Sequence, residues 1–230
     1  MSCIAIITAR GGSKRIPQKN IKKFCGKPII AYSIEAAIKS NLFDEVMVST
    51  DDENIAAIAK KYGAQVPFMR SEKTSGDYAT TREVLLEVLN EYRNRGRVFE
   101  QIFCLYPTAP FITENKLKEA LELMKKSAAR MVLPVVKFSY PPQRAYVISE
   151  GEAKFKWEEF RNVRTQDLEE FYHDAGQFYC YDATYYMKCK GYIRDGIIPY
   201  ILPESETQDI DNWEDWKMAE IKYQIMKGMI

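Results

Sequence analysis

A cluster of cations and glycines follows the first apolar run of this 230-residue chain. The segment from Arg10 to Asn20 has the sequence RGGSKRIPQKN, which contains four cations and two adjacent glycines. Glycines let a backbone approach a ligand closely, and cations with exposed amides form charge-assisted hydrogen bonds to phosphate oxygens. The segment therefore predicts a cradle for a polyphosphate.

The spacing within this segment excludes two common phosphate-binding motifs. It lacks the GxxxxGK[ST] pattern of a P-loop, which Gly26-Lys27-Pro28 does not restore, and GxGxxG is absent from the chain. A solvated basic turn is the alternative interpretation. Its place directly after the first strand favours ligand binding, because ligands bind at the carboxyl ends of strands in α/β sheets.

A pair of carboxylates, Asp209 and Asp211, lies near the end of the chain on either side of Ile210. Side chains two residues apart on an extended segment point to the same side, so this pair can hold one hard cation such as Mg²⁺. The alternative is that Asp211 or Asn212 caps the helix that follows, and both roles can coexist.

The third notable stretch is FYHDAGQFY, residues 171–179, which contains the only histidine of the chain, His173. A single histidine excludes paired-histidine catalysis and His/Cys zinc sites. It can equally be a packed, hydrogen-bonded structural residue. The chemistry must therefore rest on carboxylates, hydroxyls, lysines and arginines.

Alternating apolar patterns predict the elements that position these residues. Short apolar runs at 4–9, 45–50, 66–69, 102–106 and 131–136 are typical of buried strands. Amphipathic helical patterns lie between them, one opened by Pro28 and others capped by Asp51 or Asp52 and by Thr113. This alternation predicts a Rossmann-like α/β fold, with a mostly parallel sheet and helices on both faces.

The pattern changes after Pro141-Pro142. Residues 145–157 resemble a two-stranded hairpin that turns near Glu150-Gly151. We interpret 138–165 as an excursion from one domain spanning 1–230, which packs on a second subunit or covers the site. Strand-like segments at 177–187 and 197–202 follow, and 212–227 is predicted to be a closing helix.

The composition restricts partners and compartment. The 33 basic and 32 acidic residues nearly cancel, so no overall field attracts nucleic acid or an anionic membrane. The first apolar run is shorter than that of a signal peptide, and no run is long enough for a membrane span. The five cysteines are scattered, odd in number and never spaced as CxxC, which predicts reduced thiols in the cytosol.

The segment from Ala9 to Asn20 resembles the ARxGSKxxPxKN signature of the nucleotide-sugar cytidylyltransferases that activate sialic-acid-like sugars. Further segments follow in the family's order, namely Ser49-Thr50-Asp51, Asp77 with Thr80-Thr81, Tyr106-Pro107-Thr108-Ala109-Pro110, and Asp209-Ile210-Asp211. The resemblance implies transfer of CMP from CTP to the anomeric hydroxyl of a nine-carbon acid sugar, with Mg²⁺ and in a homodimer.

The same resemblance implies roles for individual residues. Asp209 and Asp211 would hold the metal, and with Arg10 and Lys19 they would form the catalytic group. Arg15 departs from the smaller residue found in many sialic acid synthetases. The residues implied to bind CTP are Ala9, Arg10, Gly11, Gly12, Ser13, Lys14, Asn20, Arg70, Asp77 and Thr81.

The sugar site is implied in part by HDAGQFY, which resembles the pseudaminic acid cytidylyltransferases. Pseudaminic acid is therefore the predicted acceptor. Lys137 and Arg164 are the predicted partners of its carboxylate, because an acidic acceptor needs a fixed cation. The full set implied to contact the sugar is Tyr106, Pro107, Thr108, Lys137, Arg164, His173, Gln177 and Tyr179.

Several alternatives stay open from the sequence. The acceptor can instead be N-acetylneuraminic or legionaminic acid. Enzymes for the eight-carbon sugar of lipopolysaccharide resemble one another in ARxxSTRLPxKP, whereas this chain has Ser13-Lys14-Arg15 and Lys19-Asn20; a polyol phosphate acceptor is a related possibility. A nucleotide-binding regulatory module without turnover is an alternative of another class.

Overall fold

The computed structural model describes residues 2–230. Its strands are β1 (Cys3–Thr8), β2 (Lys23–Phe24), β3 (Lys27–Pro28), β4 (Glu45–Ser49), β5 (Gln101–Leu105), β6 (Met131–Lys137), β7 (Tyr146–Ser149), β8 (Glu152–Phe155), β9 (Tyr172–Asp174), β10 (Phe178–Asp182) and β11 (Ile197–Ile201). Its α-helices are α1 (Ile30–Ser40), α2 (Glu53–Lys61), α3 (Glu72–Ser75), α4 (Thr81–Asn94), α5 (Glu114–Ser127), α6 (Ala183–Lys188) and α7 (Trp213–Met226).

A seven-stranded sheet in the order β11-β6-β10-β5-β1-β4, with β9 paired to β6, forms the centre of the fold. Strand β1 is parallel to β4 and β5, and β11 is parallel to β6. Strand β10 is antiparallel to both β5 and β6, and β9 is antiparallel to β6. All strands of this sheet except β9 and β10 therefore run in one direction, which confirms the predicted α/β fold with a mostly parallel sheet.

Helices cover both faces of the sheet. Successive side chains of β1 point to opposite faces, so each face has its own apolar core. Ala5 and Ile7 pack in a core with Ile30 of α1. Ile4 and Ile6 pack in a second core with Leu85 of α4. This double burial explains why β1 is a continuous apolar run without alternation.

Side-chain caps fix where the three helices α2, α4 and α5 begin. Asp52 accepts hydrogen bonds from the backbone amides of Asn54 and Ile55 at 2.7 and 3.1 Å, so it is Asp52, and not Asp51, that caps α2. Thr80 and Glu83 form a reciprocal capping box at the start of α4. Thr113 caps α5 as the sequence predicted.

Three predicted elements differ from the structure. Residues 66–69 are not a strand: only Gln65 forms a bridge, with Met47, and Pro67 lacks the amide that a longer ladder needs. The first helix begins at Ile30, because Pro28 already pairs in the β2–β3 hairpin. The predicted strand 177–187 ends at Asp182, whose carboxylate accepts from the Tyr185 amide at 2.6 Å and caps α6.

The segment 145–157 folds as a hairpin of β7 and β8, separate from the seven-stranded sheet. Its turn residues Glu150 and Gly151 have φ values of 54° and 81°, and positive values at both positions suit a two-residue hairpin turn. Both strands are largely exposed, including Val147 and Ile148. The role of 138–165 in dimerisation or as a lid stays a prediction.

A separate apolar cluster joins the segment after β1 to the C-terminal helix. Ile16 and Ile210 are both about 1% exposed in it, together with Phe24 and Trp216. The rings of Phe24 and Trp216 lie edge to face with centroids 5.5 Å apart. The cluster therefore holds the cation-rich segment beside the carboxylate pair, although they lie about 190 residues apart in sequence.

All five cysteines are free thiols, and Cys3, Cys104 and Cys180 are buried. Burial raises the pKa of Cys3 and of Cys104 to about 12, so both are neutral at physiological pH. Within residues 2–230, none of the helices combines the length and the apolar character needed to cross a bilayer.

The burial of Ile210 predicts a large stability cost for its truncation. Ile210→Ala should lower the free energy of unfolding by about 2 to 5 kcal/mol, because it leaves a cavity between Ile16 and Trp216. Ile225→Ala is the matched control, since Ile225 is 56% exposed on α7 and its loss should cost less than about 0.5 kcal/mol. Urea denaturation of both variants measures the difference; equal costs would contradict the role of the cluster.

Candidate functional site

A cavity of about 580 Å³ opens where β1 and β5 end. It brings together the cation-rich segment, the carboxylate pair and the segment that follows β5. Its lining residues are Thr8, Arg10, Ser13, Lys14, Arg15, Ile16, Lys19, Asn20, Arg70, Asp77, Ala79, Thr81, Val84, Tyr106, Pro107, Thr108, Asp209 and Asp211.

The cation-rich segment is shaped by hydrogen bonds to its own backbone and to the segment after β4. The Gly11 amide donates to Asp51 at 2.9 Å, and a Cβ at Gly11 would lie 3.0 Å from the Asp52 side chain. The buried Asn20 amide donates to the Arg10 carbonyl at 2.8 Å. A larger residue at position 11 would therefore crowd Asp52, and the hydrogen bond of Asn20 holds the backbone of the loop at Arg10.

Two cations of the loop converge on one carboxylate from another element. Arg10 donates to Asp77 at 2.8 Å, and Lys14 pairs with the second oxygen of the same carboxylate. The hydrogen bonds from Lys14 and Arg10 lower the pKa of Asp77. Asp77 therefore neutralises part of the positive charge that the sequence assigned to a polyphosphate.

The carboxylate pair lies beside Lys19 and Arg15. Lys19 donates to the Ile210 carbonyl at 2.6 Å, and Arg15 pairs with Asp211 at 2.7 Å. Burial lowers the pKa of Lys19, an effect that Asp211 and Asp209 oppose. Burial, followed by the charge of Asp211, raises the pKa of Asp209.

The donor chemistry of the pair fits a hard cation. Both carboxylates line the cavity, and burial first and the charge of Asp211 second raise the pKa of Asp209. A divalent ion would relieve the repulsion between the two charges. Across residues 2–230, no group of three or more His, Cys, Asp or Glu side chains is arranged to hold a metal. Mg²⁺ suits two protein ligands, because it commonly keeps waters and substrate phosphates as its others.

Arg70, Thr81, Ala79 and Val84 also line the cavity. Arg70 is buried and donates to the Ser49 hydroxyl at 3.0 Å and to the Ser49 carbonyl at 2.6 Å. Desolvation lowers the pKa of this guanidinium. Arg70 is therefore a fixed polar group next to the apolar surface of Ala79 and Val84.

The segment after β5 forms the remaining rim through Tyr106, Pro107 and Thr108. The Tyr106 carbonyl accepts from the Ser33 hydroxyl at 2.7 Å, which ties the rim to α1. The Tyr179 ring lies edge to face with Tyr106 at 5.6 Å, and its hydroxyl donates to Asp174 at 2.8 Å. Tyr179 thus supports the rim from behind, and burial raises the pKa of Tyr106.

Five predicted sugar-binding residues do not line this cavity, and one of them is Tyr179, whose ring packs against Tyr106. Gln177 is 1% exposed and its amide donates to the Glu206 carbonyl at 2.8 Å. His173 is exposed on β9, where its ring packs against Phe138 at 4.8 Å. The two predicted carboxylate-binding cations are engaged elsewhere, Lys137 with Glu170 and Arg164 with Asp167 at 2.7 Å.

Among the predicted nucleotide-binding residues, Ala9, Gly11 and Gly12 do not line the cavity; Ala9 is buried and Gly12 is exposed. The structure adds Ala79 and Val84, which the sequence analysis did not assign. Their proximity to Thr81 at the start of α4 was the available signal. Arg15, whose role was open, proves to be the partner of Asp211.

The sequence profile of the cytidylyltransferase family matches residues 4–217. The chain is 38% identical to the pseudaminic acid cytidylyltransferase of Campylobacter jejuni over 98% of this chain and 97% of that protein. It is 32% identical to the CMP-N,N'-diacetyllegionaminic acid synthase of Legionella pneumophila over 96% of this chain and 95% of that protein.

A solved structure of a CMP:2-keto-3-deoxy-manno-octonic acid synthetase complexed with CTP shares the fold. It superposes with a TM-score of 0.72 at 18% identity and covers 100% of both chains. At that identity the likeness is one of architecture.

The surroundings of Asp209 predict that its ionised carboxylate lowers the free energy of unfolding of the metal-free protein. Its raised pKa means that the folded state disfavours the ionised form, so Asp209→Asn should raise the free energy of unfolding at pH 7 without divalent metal, by less than about 1 kcal/mol after solvent screening. The gain should shrink as the pH falls towards the usual pKa of an aspartate. Denaturant unfolding in chelator at several pH values measures it.

Asp211→Asn serves as the control, because that substitution also removes the ion pair with Arg15. It should therefore give a smaller gain, or a loss. A destabilised Asp209→Asn protein at pH 7 would contradict this electrostatic account.

Proposed function

This chain belongs to the cytidylyltransferase family, and we propose that the acid sugar it activates is pseudaminic acid. It is a nucleotidyltransferase that uses CTP to activate a keto-acid sugar. The identity of 38% to an enzyme of that name over nearly the whole chain is the observation that carries the choice of sugar, against 32% for the legionaminic acid enzyme.

In the proposed complex, CTP lies in the cavity between the cation-rich segment and the group of Arg70, Thr81, Ala79 and Val84. Arg10, Ser13, Lys14 and Lys19 bind the triphosphate, since they present cations and a hydroxyl along one side of the cavity. The nucleoside lies towards Arg70 and Thr81, with the surface of Ala79 and Val84 available for the pyrimidine. The fixed hydrogen bonds of Arg70 to Ser49 support this placement, because they orient a polar group before the ligand arrives.

Asp209 and Asp211 are the proposed ligands of Mg²⁺. The ion would supply positive charge to the α-phosphate and to the departing pyrophosphate. The chain contributes the geometry: Ile210 is buried between the two aspartates, and its carbonyl accepts from Lys19. Lys19 is thereby placed where negative charge grows as pyrophosphate leaves, which is the condition for stabilising the transition state.

The proposed reaction is a substitution at the α-phosphorus of CTP. The anomeric hydroxyl of the sugar attacks this phosphorus and loses its proton to solvent, and a new P–O bond forms. The bond between the α-phosphorus and the oxygen that it shares with the β-phosphate breaks, so the CMP-sugar, pyrophosphate and one proton result. The loop cations hold the triphosphate in one orientation, which removes much of the entropic cost of bringing the two substrates together.

The rim after β5 is the proposed floor of the sugar site. Tyr106 presents aromatic surface to the cavity and Tyr179 holds it in place, whereas Phe178 is fully buried in the sheet core and offers none. No arginine occurs in 171–179 to bind a polar glycerol tail. Pseudaminic acid ends in a methyl group at C9, so an apolar contact in this region suits it better than sialic acid.

We also propose that the 138–165 extension packs against a second copy in a symmetric homodimer. Tyr146, Val147 and Ile148 are 58%, 47% and 78% exposed, which is more apolar surface than an isolated hairpin tolerates. Lys137, which directly precedes this extension, and Arg164, which lies near its end, are outside the cavity of their own chain. A second copy is therefore the route by which these cations would reach a sugar carboxylate.

The metal assignment predicts the effect of neutralising one ligand. Asp211→Asn should lower turnover by about a thousandfold or more and should weaken the Mg²⁺ dependence of CTP binding measured by calorimetry, because a ligand charge is lost. Glu214→Gln, which removes a nearby exposed charge outside the cavity, is the control and should retain activity. Near-normal turnover in a folded Asp211→Asn protein would overturn the assignment.

A panel of acid sugars with CTP, assayed by pyrophosphate release, tests the proposed function. Pseudaminic acid should be preferred over N-acetylneuraminic acid by at least about a hundredfold in kcat/KM, the size that a few lost hydrogen bonds and an unfilled apolar contact produce. N,N'-diacetyllegionaminic acid belongs in the same panel. Equal or reversed preference would leave the family assignment standing and remove the choice of sugar.

The dimer is tested by sedimentation and by complementation. The wild-type chain should sediment as a dimer at micromolar concentration, and Ile148→Glu should shift it to a monomer. Mixing Asp211→Asn and Arg164→Ala copies, each inactive alone, should restore about a quarter of wild-type activity, since half of the dimers are mixed and each has one complete site. A monomeric wild type, or no recovery on mixing, would contradict the arrangement.

A further inference from the structure

Asp77 lies at the mouth of the proposed triphosphate site and has the wrong charge for a phosphate ligand. Its two oxygens pair with Arg10 and Lys14, so one carboxylate engages two of the cations that face the cavity. Among residues 2–230, neither cation has a second salt bridge. A phosphate that binds Arg10 and Lys14 therefore competes with Asp77 for the same two positive charges.

The surroundings of Asp77 favour such displacement. Asp77 lies between α3 and α4, where Gly76 and Tyr78 are exposed and Tyr78 is 97% accessible. The Asp77 side chain is 43% exposed, so it stays hydrated when it leaves its partners. An exposed ion pair of this kind is weak and opens at small cost.

The segment around Asp77 is anchored independently of this carboxylate. The capping box of Thr80 and Glu83 fixes the start of α4, and the Ala79 amide donates to the Gly76 carbonyl at 3.2 Å. Ser71 and Thr74 hold the other side of the segment through Glu87. Movement of the Asp77 side chain therefore does not require α3 or α4 to unfold.

We propose that Asp77 is an internal competitor of the triphosphate: it pairs with Arg10 and Lys14 in the empty site, gives way to the phosphates of CTP, and returns as pyrophosphate departs. The inference rests on the proposed function, and it assigns to Asp77 a role opposite to that of a CTP ligand. Its consequence is that the site binds pyrophosphate less tightly than its cations alone would, which favours release of that product.

Inorganic pyrophosphate is the probe that isolates this competition. Calorimetry in chelator at fixed ionic strength measures its binding to the cations without the metal site. Asp77→Asn keeps the size of the side chain and removes its charge, so pyrophosphate should bind about three- to tenfold more tightly than to the wild type. Product inhibition by pyrophosphate in the sugar-nucleotide assay should strengthen by a similar factor.

Two further variants separate competition from a structural role. Asp77→Glu retains the charge and should keep affinity near that of the wild type. Asp195→Asn removes an exposed carboxylate that pairs with Arg130 away from the cavity, and it should leave pyrophosphate binding unchanged. If Asp77→Asn damaged the fold, its affinity for pyrophosphate would fall, whereas the competitor role requires that this affinity rise.

Unchanged or weaker pyrophosphate binding by Asp77→Asn would overturn the inference, as would a failure of both proteins to bind pyrophosphate. An equal gain in Asp195→Asn would overturn it as well, because the effect would then be one of net charge. If Asp77→Asn gains affinity while no acid sugar supports turnover of CTP, the inference stands and the proposed function fails.

Discussion

The burial of Ile210 is the constraint on which the site depends. A side chain in an extended segment that points into the core forces its two neighbours to point away from it. Ile210 packs with Ile16 and Trp216, so Asp209 and Asp211 both face the cavity, where Asp211 pairs with Arg15. The free energy of burying one isoleucine thus holds together two like charges that repel each other.

Charge balance within the cavity follows from that arrangement. Asp211 pairs with Arg15, and Asp77 pairs with Arg10 and Lys14, so the loop cations are matched by carboxylates from two distant parts of the chain. Cations without carboxylate partners would repel one another within the loop. Fully buried ion pairs, in contrast, would be hard to separate when a ligand binds. Partly exposed pairs are stable enough to shape the site and weak enough to yield to a triphosphate and a metal ion.

Local patterns in the sequence predicted much of this site, because the cation-rich segment and the Asp209–Asp211 pair each follow from short-range rules. Residues whose surroundings are set by tertiary contacts were not predictable in the same way. Gln177 is buried and its side-chain amide donates to the Glu206 carbonyl, 29 residues later, and nothing in the sequence around Gln177 indicates this. The competing pairs of Asp77 are likewise invisible without the fold, since they join residues more than 60 positions apart.

The most direct test of the account is a crystal structure with Mg²⁺ and a CTP analogue whose α,β-bridging oxygen is replaced by a methylene group. The account predicts the triphosphate on Arg10, Lys14 and Lys19, the ion on Asp209 and Asp211, and Asp77 released from its two partners. A triphosphate bound elsewhere, or an ion that does not touch the carboxylate pair, would contradict it.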